Sequence, residues 1–324
     1  MVTQVSSMAL GDKQQLEADP IIVVEELTKI FRVRLDGDGF RERVKLFFKP
    51  EYRAVTALDS VSFTVRRGES VGYIGLNGAG KSTTIKLLCG VLVPTSGRVT
   101  VAGIEPHRHR KLNARRIGLM MGQRTQLLWD LPVKESFTLL GKIYDLDPQT
   151  YRANRDRLVE ALGIGSLMET PARMLSLGQR TRCDLALTFL HDPAVVYLDE
   201  PTIGLDVFAR ERIREFLLAE KAREVTIFMA SHDLDDLEMV TDRVLLIHQG
   251  RILFDGTQGE LKAMFGGQLG SLEDTVKRFY REEALAQEEA QGDAHKKARC
   301  DEARGCEKTP GCEEAPERRE EALR

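Results

Sequence analysis

No stretch of the 324 residues approaches the roughly 18 consecutive apolar residues that a membrane-spanning helix requires. The longest apolar runs, such as Ala194 to Leu198 and Val244 to Ile247, are strand-sized. Any role at a membrane therefore has to pass through a partner. The opening residues, MVTQVSSMALGDKQQLEADP, lack the basic start and unbroken apolar core of a signal peptide, so the expected compartment is the cytoplasm. Five cysteines include no CxxC pair. Cys89 and Cys183 fall in apolar, helix-like stretches and read as buried thiols. Cys300, Cys306 and Cys312 are spread through a polar tail whose nearby His295 has no partner at ligand spacing, which argues against a metal site there. A net charge of -3 offers no general attraction for nucleic acid.

What is present is an ordinary globular composition, with 42% hydrophobic and 30% charged residues. Residues 1–19 read as a flexible leader. Ile21 to Val24 reads as a short strand, residues 32–53 as a basic and aromatic insertion, and Val61 to Val65 as an alternating strand. Val71 to Ile74 is a continuous apolar run, the mark of a strand buried on both faces. Helical spacing then begins at Lys81, with an apolar face from Ile85 through Leu87, Leu88 and Val91 up to Pro94. Val99 and Val101 mark another strand. About residues 125–190 read as mostly helical: Lys134 to Tyr144, a helix opened by Asp147-Pro148, and Gly178 to Leu190. Strand patterns return at Ala194 to Leu198 and Val225 to Met229, and VLLIHQGRILFDG reads as a hairpin. The expected layout is α/β, a parallel sheet interrupted by a helical subdomain. A core at 20–258 is followed by a helical extension at 259–281 and a charged tail at 282–324 that shows no sustained apolar face.

Gly75-Leu76-Asn77-Gly78-Ala79-Gly80-Lys81-Ser82 fits G-x-x-x-x-G-K-[ST], placed after a buried strand and before a helix. Glycines at 78 and 80 let backbone N–H groups curl around a β-phosphate, the helix N-terminus adds its positive end, and the Lys81 ammonium neutralises β/γ oxygens. Ser82 can ligate Mg2+. In VVYLDE an apolar strand delivers two carboxylates to its C-terminal end, the edge where open parallel sheets bind ligands. Asp199 there suits Mg2+, and Glu200 suits orienting or deprotonating an attacking water. Gln123, Asp206 and His232 follow other strand exits and can converge on the γ-phosphate. Alone, each has a plainer reading: a loop amide, an N-cap before Phe208 to Leu218, and a residue capping the helix at Asp233 to Met239.

Taken in order, the P-loop, Gln123, LSLGQ, YLDEP, GLD and SHD resemble the nucleotide-binding subunit of ATP-binding-cassette (ABC) transporters over about residues 21–257. GQRTQLLWDLP, LSLGQRTR and DEPTIGLDV together look like the ABC-2 type exporter ATPases. The resemblance implies a P-loop NTPase of the ABC type, with a parallel sheet core, an antiparallel β subdomain and an inserted helical subdomain. It implies ATP and Mg2+ as ligands, with Gly75, Asn77, Gly78, Ala79, Gly80, Lys81, Ser82 and Thr83 around the phosphates. Ser82, Asp199 and Gln123 would serve the metal, Gln123 lying at the Q-loop. Glu200, His232 and Gln123 would serve catalysis. Ser176, Gly178 and Gln179 stand in the signature and Asp206 in the D-loop; in this family two domains pair head to tail, so Ser176 and Gly178 would touch the γ-phosphate held by Lys81 of a second copy or a homologous ATPase. A separate multispanning permease would place the protein on the cytoplasmic face of the inner or plasma membrane, with Leu127, Leu128, Trp129 and Leu131 offering apolar surface to it or serving as core.

Two positions depart from the family pattern. Leu177 replaces the usual signature glycine, and leucine neither readily takes positive φ nor permits the same close backbone approach; with Ser176 and Gly178 retained, a working site of altered geometry is expected there. The adenine-stacking aromatic falls by spacing at Tyr52, with Phe47 and Phe48 as competitors. Rival classes fit less well. DNA-repair and chromosome ATPases separate P-loop and signature by a long coiled coil or zinc insertion, whereas the intervening region here is short, and no nucleic-acid partner is expected. Translation-associated ABC proteins normally carry two cassettes, and a P-loop kinase or GTPase would leave LSLGQ and His232 without a task.

Overall fold

The computed structural model describes residues 20–34, 52–122, 124–264 and 271–281. Gln123, Phe47, Phe48, the leader and the tail cysteines lie outside them. Two compact units divide the chain, Met1–Leu272 and Glu273–Arg324. Within the second, residues 273–281 are helical. Both sheets and all the described site residues belong to the first.

An antiparallel sheet of order β2-β1-β4 comprises β1 (Pro20–Arg34), β2 (Tyr52–Arg66) and β4 (Ser96–Val101). Val61, Phe63 and Val65 alternate inward along β2, as period-two patterning requires. The strand expected at Ile21 to Val24 continues to Arg34, and residues 32–34 and 52–53, expected in an insertion, are strand. Arg34 pairs with Tyr52 and Arg32 with Ala54. Beyond the core this two-stranded ribbon meets solvent on both faces, so it carries no alternation of buried and exposed residues.

The second sheet runs β5-β6-β7-β3-β8-β9 and is parallel except for the last pair. Its strands are β3 (Ser70–Gly75), β5 (Ile117–Met121), β6 (Val195–Asp199), β7 (Thr226–Ala230), β8 (Arg243–His248) and β9 (Arg251–Thr257). Every residue of β3, β6 and β7 is buried, in keeping with apolar runs covered on both faces. Phe63 of the first sheet stacks on Phe228, centroids 5.9 Å apart, and Tyr73 lies 5.1 Å from Phe228. This aromatic cluster joins the two sheets.

Helices α1 (Lys81–Leu88), α2 (Arg110–Ala114), α3 (Val133–Ile143), α4 (Pro148–Ala161), α5 (Leu177–Phe189), α6 (Val207–Ala222), α7 (Leu234–Val240) and α8 (Gln258–Met264) complete the described part of the first unit. Asp147 caps α4 by accepting from the Gln149 and Thr150 amides, with Pro148 in the first turn. Helix α1 stops at Leu88, so Val91 lies beyond it and is exposed rather than on its apolar face. Gly90, in the left-handed region at φ 73°, breaks the helix before Pro94 can.

Candidate nucleotide site

The phosphate loop is wedged between the two sheets. A Cβ on Gly75 would lie 2.7 Å from Ile247 of β8, and one on Gly80 2.7 Å from the Ala57 carbonyl and from Leu58 of β2. Gly78 has open space but needs glycine for its φ of 81°. The β8–β9 turn braces the loop from behind: Gln249 and Gly250 both have positive φ, as a type I′ turn demands, and the Gly250 amide donates to the Ala79 carbonyl at 3.0 Å.

Lys81 is buried, and its ammonium donates to the carbonyls of Gly75 and Leu76, the latter at 3.5 Å. Burial lowers its pKa, while the carboxylates of Glu200 and Asp199 work in the opposite direction. A desolvated cation bonded to neutral carbonyls is poised for an anion. The Ser82 hydroxyl donates to Asp199 Oδ2 at 2.9 Å, so a hydroxyl and a carboxylate stand together at the carboxyl edge of the sheet. This hard oxygen pair fits Mg2+, which characteristically takes one or two protein oxygens and completes its shell with water and phosphate. Among the described residues no group of three or more His, Cys, Asp or Glu side chains forms an all-protein cage.

Glu200, one residue beyond β6, has φ 56°, a left-handed backbone costing roughly 1–2 kcal/mol in a non-glycine residue. Its amide donates to the Ala230 carbonyl at 2.8 Å, and its Oε2 lies 2.6 Å from His232 Nδ1, with the His232 amide at 3.3 Å and the Ser231 hydroxyl at 3.4 Å. The two residues expected to act together are thus a hydrogen-bonded pair. Asn77, Gly78, Gly80, Lys81, Ser82, Thr83, Asp199 and Glu200 line one cleft of about 280 Å³, and Ala57 and Gly122, which the motifs did not mark, line it too. That volume is near the floor for small-molecule sites.

Ser176, Gly178, Gln179 and Asp206 line a different cavity, of about 570 Å³. Ser176 caps α5 through a reciprocal box: its hydroxyl accepts from the Gln179 amide at 3.2 Å, and Gln179 Oε1 accepts from the Ser176 amide at 2.9 Å. Leu177 lies in the first turn of α5 and is not among the positive-φ residues, so leucine is not asked to take positive φ there. It packs over Gly204 instead. Asp206 caps α6 by accepting from the Ala209 amide at 2.9 Å, the plainer of its two readings, while still facing the signature cavity. Among the described residues the two clefts share no lining side chain.

Tyr52 is exposed near the end of the β1–β2 ribbon, outside the phosphate cleft. It lies five residues, roughly 16 Å of strand, from Ala57. Phe31 pairs with Val55, only two residues from Ala57, and carries the Lys29 ammonium 5.2 Å above its ring. Of the apolar residues after Gln123, Leu127 is core, while Trp129 and Leu131 are 49% and 47% exposed. Cys89 and Cys183 are buried free thiols as expected, and desolvation pushes Cys183 up to about 12.

Sequence comparison matches the ABC transporter family over residues 58–203. The ABC transporter ATP-binding protein NatA of Bacillus subtilis is 32% identical over 64% of this chain and 85% of its own length. The Nod factor export ATP-binding protein I of Ralstonia nicotianae is 34% identical over 70% of this chain and 68% of its own. The probable multidrug ABC transporter ATP-binding protein YbhF of Escherichia coli is 35% identical, but the match spans only 36% of that longer protein. A solved ATP-binding subunit of an ABC transporter superposes with a TM-score of 0.66 at 26% identity, covering 80% of this chain and 98% of the other. Motif order, sheet topology and relatives agree: the chain belongs to the ABC transporter family, as one of its ATP-binding, ATP-hydrolysing subunits.

Proposed function

We propose that two copies close head to tail on ATP and Mg2+, and that closing and reopening drive export through a separate multispanning permease. One observation carries this reading. The cleft around Lys81 and the cavity around Ser176 are distinct surfaces of one chain, and each holds half of what a γ-phosphate requires. The first supplies a buried ammonium, a glycine cradle and the Ser82–Asp199 oxygen pair. The second supplies a helix N-terminus with a serine hydroxyl and the Gly178 backbone. A phosphate bound at one is completed by the other only when a second copy presents it.

Within the closed site, Glu200 takes a proton from the attacking water and His232 orients that carboxylate, a reading supported by their 2.6 Å hydrogen bond. Mg2+ at Ser82 and Asp199 would offset charge on the phosphate oxygens. Gln123, one residue past Gly122 of the cleft, is assigned to the water and metal on the family resemblance. Phe31, closer along the ribbon to Ala57 than Tyr52 is, is the better-placed platform for the adenine. Trp129 and Leu131 offer the permease an apolar contact. The reading of export draws support from relatives named for Nod factor export and for daunorubicin resistance.

The test is Glu200→Gln in an ATPase assay with sizing in MgATP. Hydrolysis falls by about 10²-fold or more and ATP-bound dimers accumulate, because the amide cannot accept the water's proton yet leaves binding intact. Unchanged turnover would remove Glu200 from the role.

A further inference from the structure

Helix α5 carries, besides its capping serine, a polar stripe at spacing i, i+4, i+8: Arg180, Asp184 and Thr188. That spacing puts all three on one face of the helix. The face is covered by the loop leaving β5. The Arg180 guanidinium sits 5.2 Å over the Trp129 ring. Asp184 Oδ1 accepts from the Gln126 amide at 2.7 Å and from the Thr125 hydroxyl at 2.9 Å. Gln126 Nε2 donates both to the Thr188 hydroxyl at 3.0 Å and to the Leu119 carbonyl of β5 at 3.2 Å, while the Thr188 hydroxyl donates to the Asp184 carbonyl. Helix and strand lie flush here, since a Cβ on Gly118 would come within 2.7 Å of the Thr188 carbonyl. One carboxylate is therefore the centre of a clamp between the segment that begins two residues after Gln123 and the helix that Ser176 caps.

Asp184 is 5% exposed in an otherwise apolar stretch, CDLAL. Burial pushes its carboxyl up to about 6, against the opposing pull of the hydrogen bonds and of Arg180. At neutral pH the chain thus keeps a charge that a core-filling side chain would avoid. Sheet and helix already pack through Gly118, so packing alone does not call for it. What the charge does is bind one backbone amide and one hydroxyl of a short loop.

We infer that Asp184 is a positioning residue for hydrolysis: it locks the Thr125–Trp129 loop to α5, so that displacement of the loop carries the Ser176 cap, eight residues or about 12 Å along the helix, toward or away from the opposing phosphate. The inference rests on the shared-site reading above. Trp129, the exposed end of the same loop, is the point at which an external contact enters the clamp.

The test uses the full-length protein. Asp184→Ala removes the acceptor, and Thr125→Ala removes one donor from the other side in case the first variant folds poorly. Asp184→Asn keeps an acceptor oxygen. Nucleotide affinity at the P-loop, read by titration of a fluorescent ATP analogue, stays within twofold in all three because Lys81 and Ser82 are untouched. The kcat of Asp184→Ala falls at least tenfold and that of Thr125→Ala about threefold, while Asp184→Asn recovers to within about threefold of the parent. A folded Asp184→Ala protein with kcat within twofold of the parent overturns the clamp, as does a loss of nucleotide affinity equal to the loss of kcat. In a Glu200→Gln background, Asp184→Ala diminishes the MgATP-dependent dimer. If Glu200→Gln alone fails to dimerise, the shared-site reading falls, and the kcat comparison still decides the clamp.

Discussion

Lys81, Glu200 and Ser176 show three ways in which a residue is readied for a ligand. Lys81 is desolvated, and its ammonium donates to the Gly75 and Leu76 carbonyls. Glu200 is held by a left-handed backbone that its side-chain bond to His232 exploits. Ser176 closes a capping box that leaves a helix N-terminus facing a cavity. The residue types were legible in the motifs, because each chemistry admits few side chains. Backbone strain at Glu200 and the absence of strain at Leu177 were not, since both depend on the path of the chain after β6 and before α5. The adenine platform is likewise a matter of register. Base stacking on an aromatic ring is worth about 1–3 kcal/mol, so Phe31→Ala is expected to weaken ATP affinity about fivefold or more. Tyr52→Ala, farther out on the ribbon, should change it by less than about twofold. Isothermal titration with both variants checks the pair, and the reverse ranking would return the platform to Tyr52.

Among the elements, those buried on one or both faces could be read from sequence. Continuous apolar runs gave β3, β6 and β7, alternation gave the inner half of β2, and Asp147-Pro148 marked the start of α4. The ribbon formed by the ends of β1 and β2 escaped because both its faces meet solvent and its pattern carries no burial signal. The stripe on α5 escaped for a related reason: Asp184 interrupts an apolar helix, and a single acid there looks like an exception until the loop that it binds is seen. Its burial has a consequence for stability. The carboxyl rises from an ordinary value of 3.8 to about 6, so the folded state holds the proton more tightly than the unfolded state between those pH values. Stability therefore drops as pH rises through that window, by on the order of 3 kcal/mol at full charge. Thermal melts at pH 5 and pH 7 should show the parent losing more stability over this interval than Asp184→Asn, which cannot titrate. Parallel shifts in the two proteins would contradict a buried, charged Asp184.

At the scale of the whole molecule, the described part of the first unit leaves its chemistry divided. The P-loop cleft is braced by both sheets, and the signature cavity lies at the start of α5 and α6, with no lining residue in common among those described. Phe208, 84% exposed at the mouth of the signature cavity, adds apolar surface where a second copy would close. A two-fold arrangement satisfies both halves at once, because an isologous pair presents each P-loop to the other chain's signature. Mixing two inactive variants tests this directly. Lys81→Ala removes the cation from one chain, and Ser176→Arg fills the cap of the other. In a mixed dimer one composite site is intact, with Lys81 from the second chain and Ser176 from the first. Random pairing makes half the dimers mixed, each with one of its two sites whole, so ATPase activity should return to about a quarter of the parent rate if the sites act independently. No recovery on mixing, or full activity of Ser176→Arg alone, would contradict a site built from two chains.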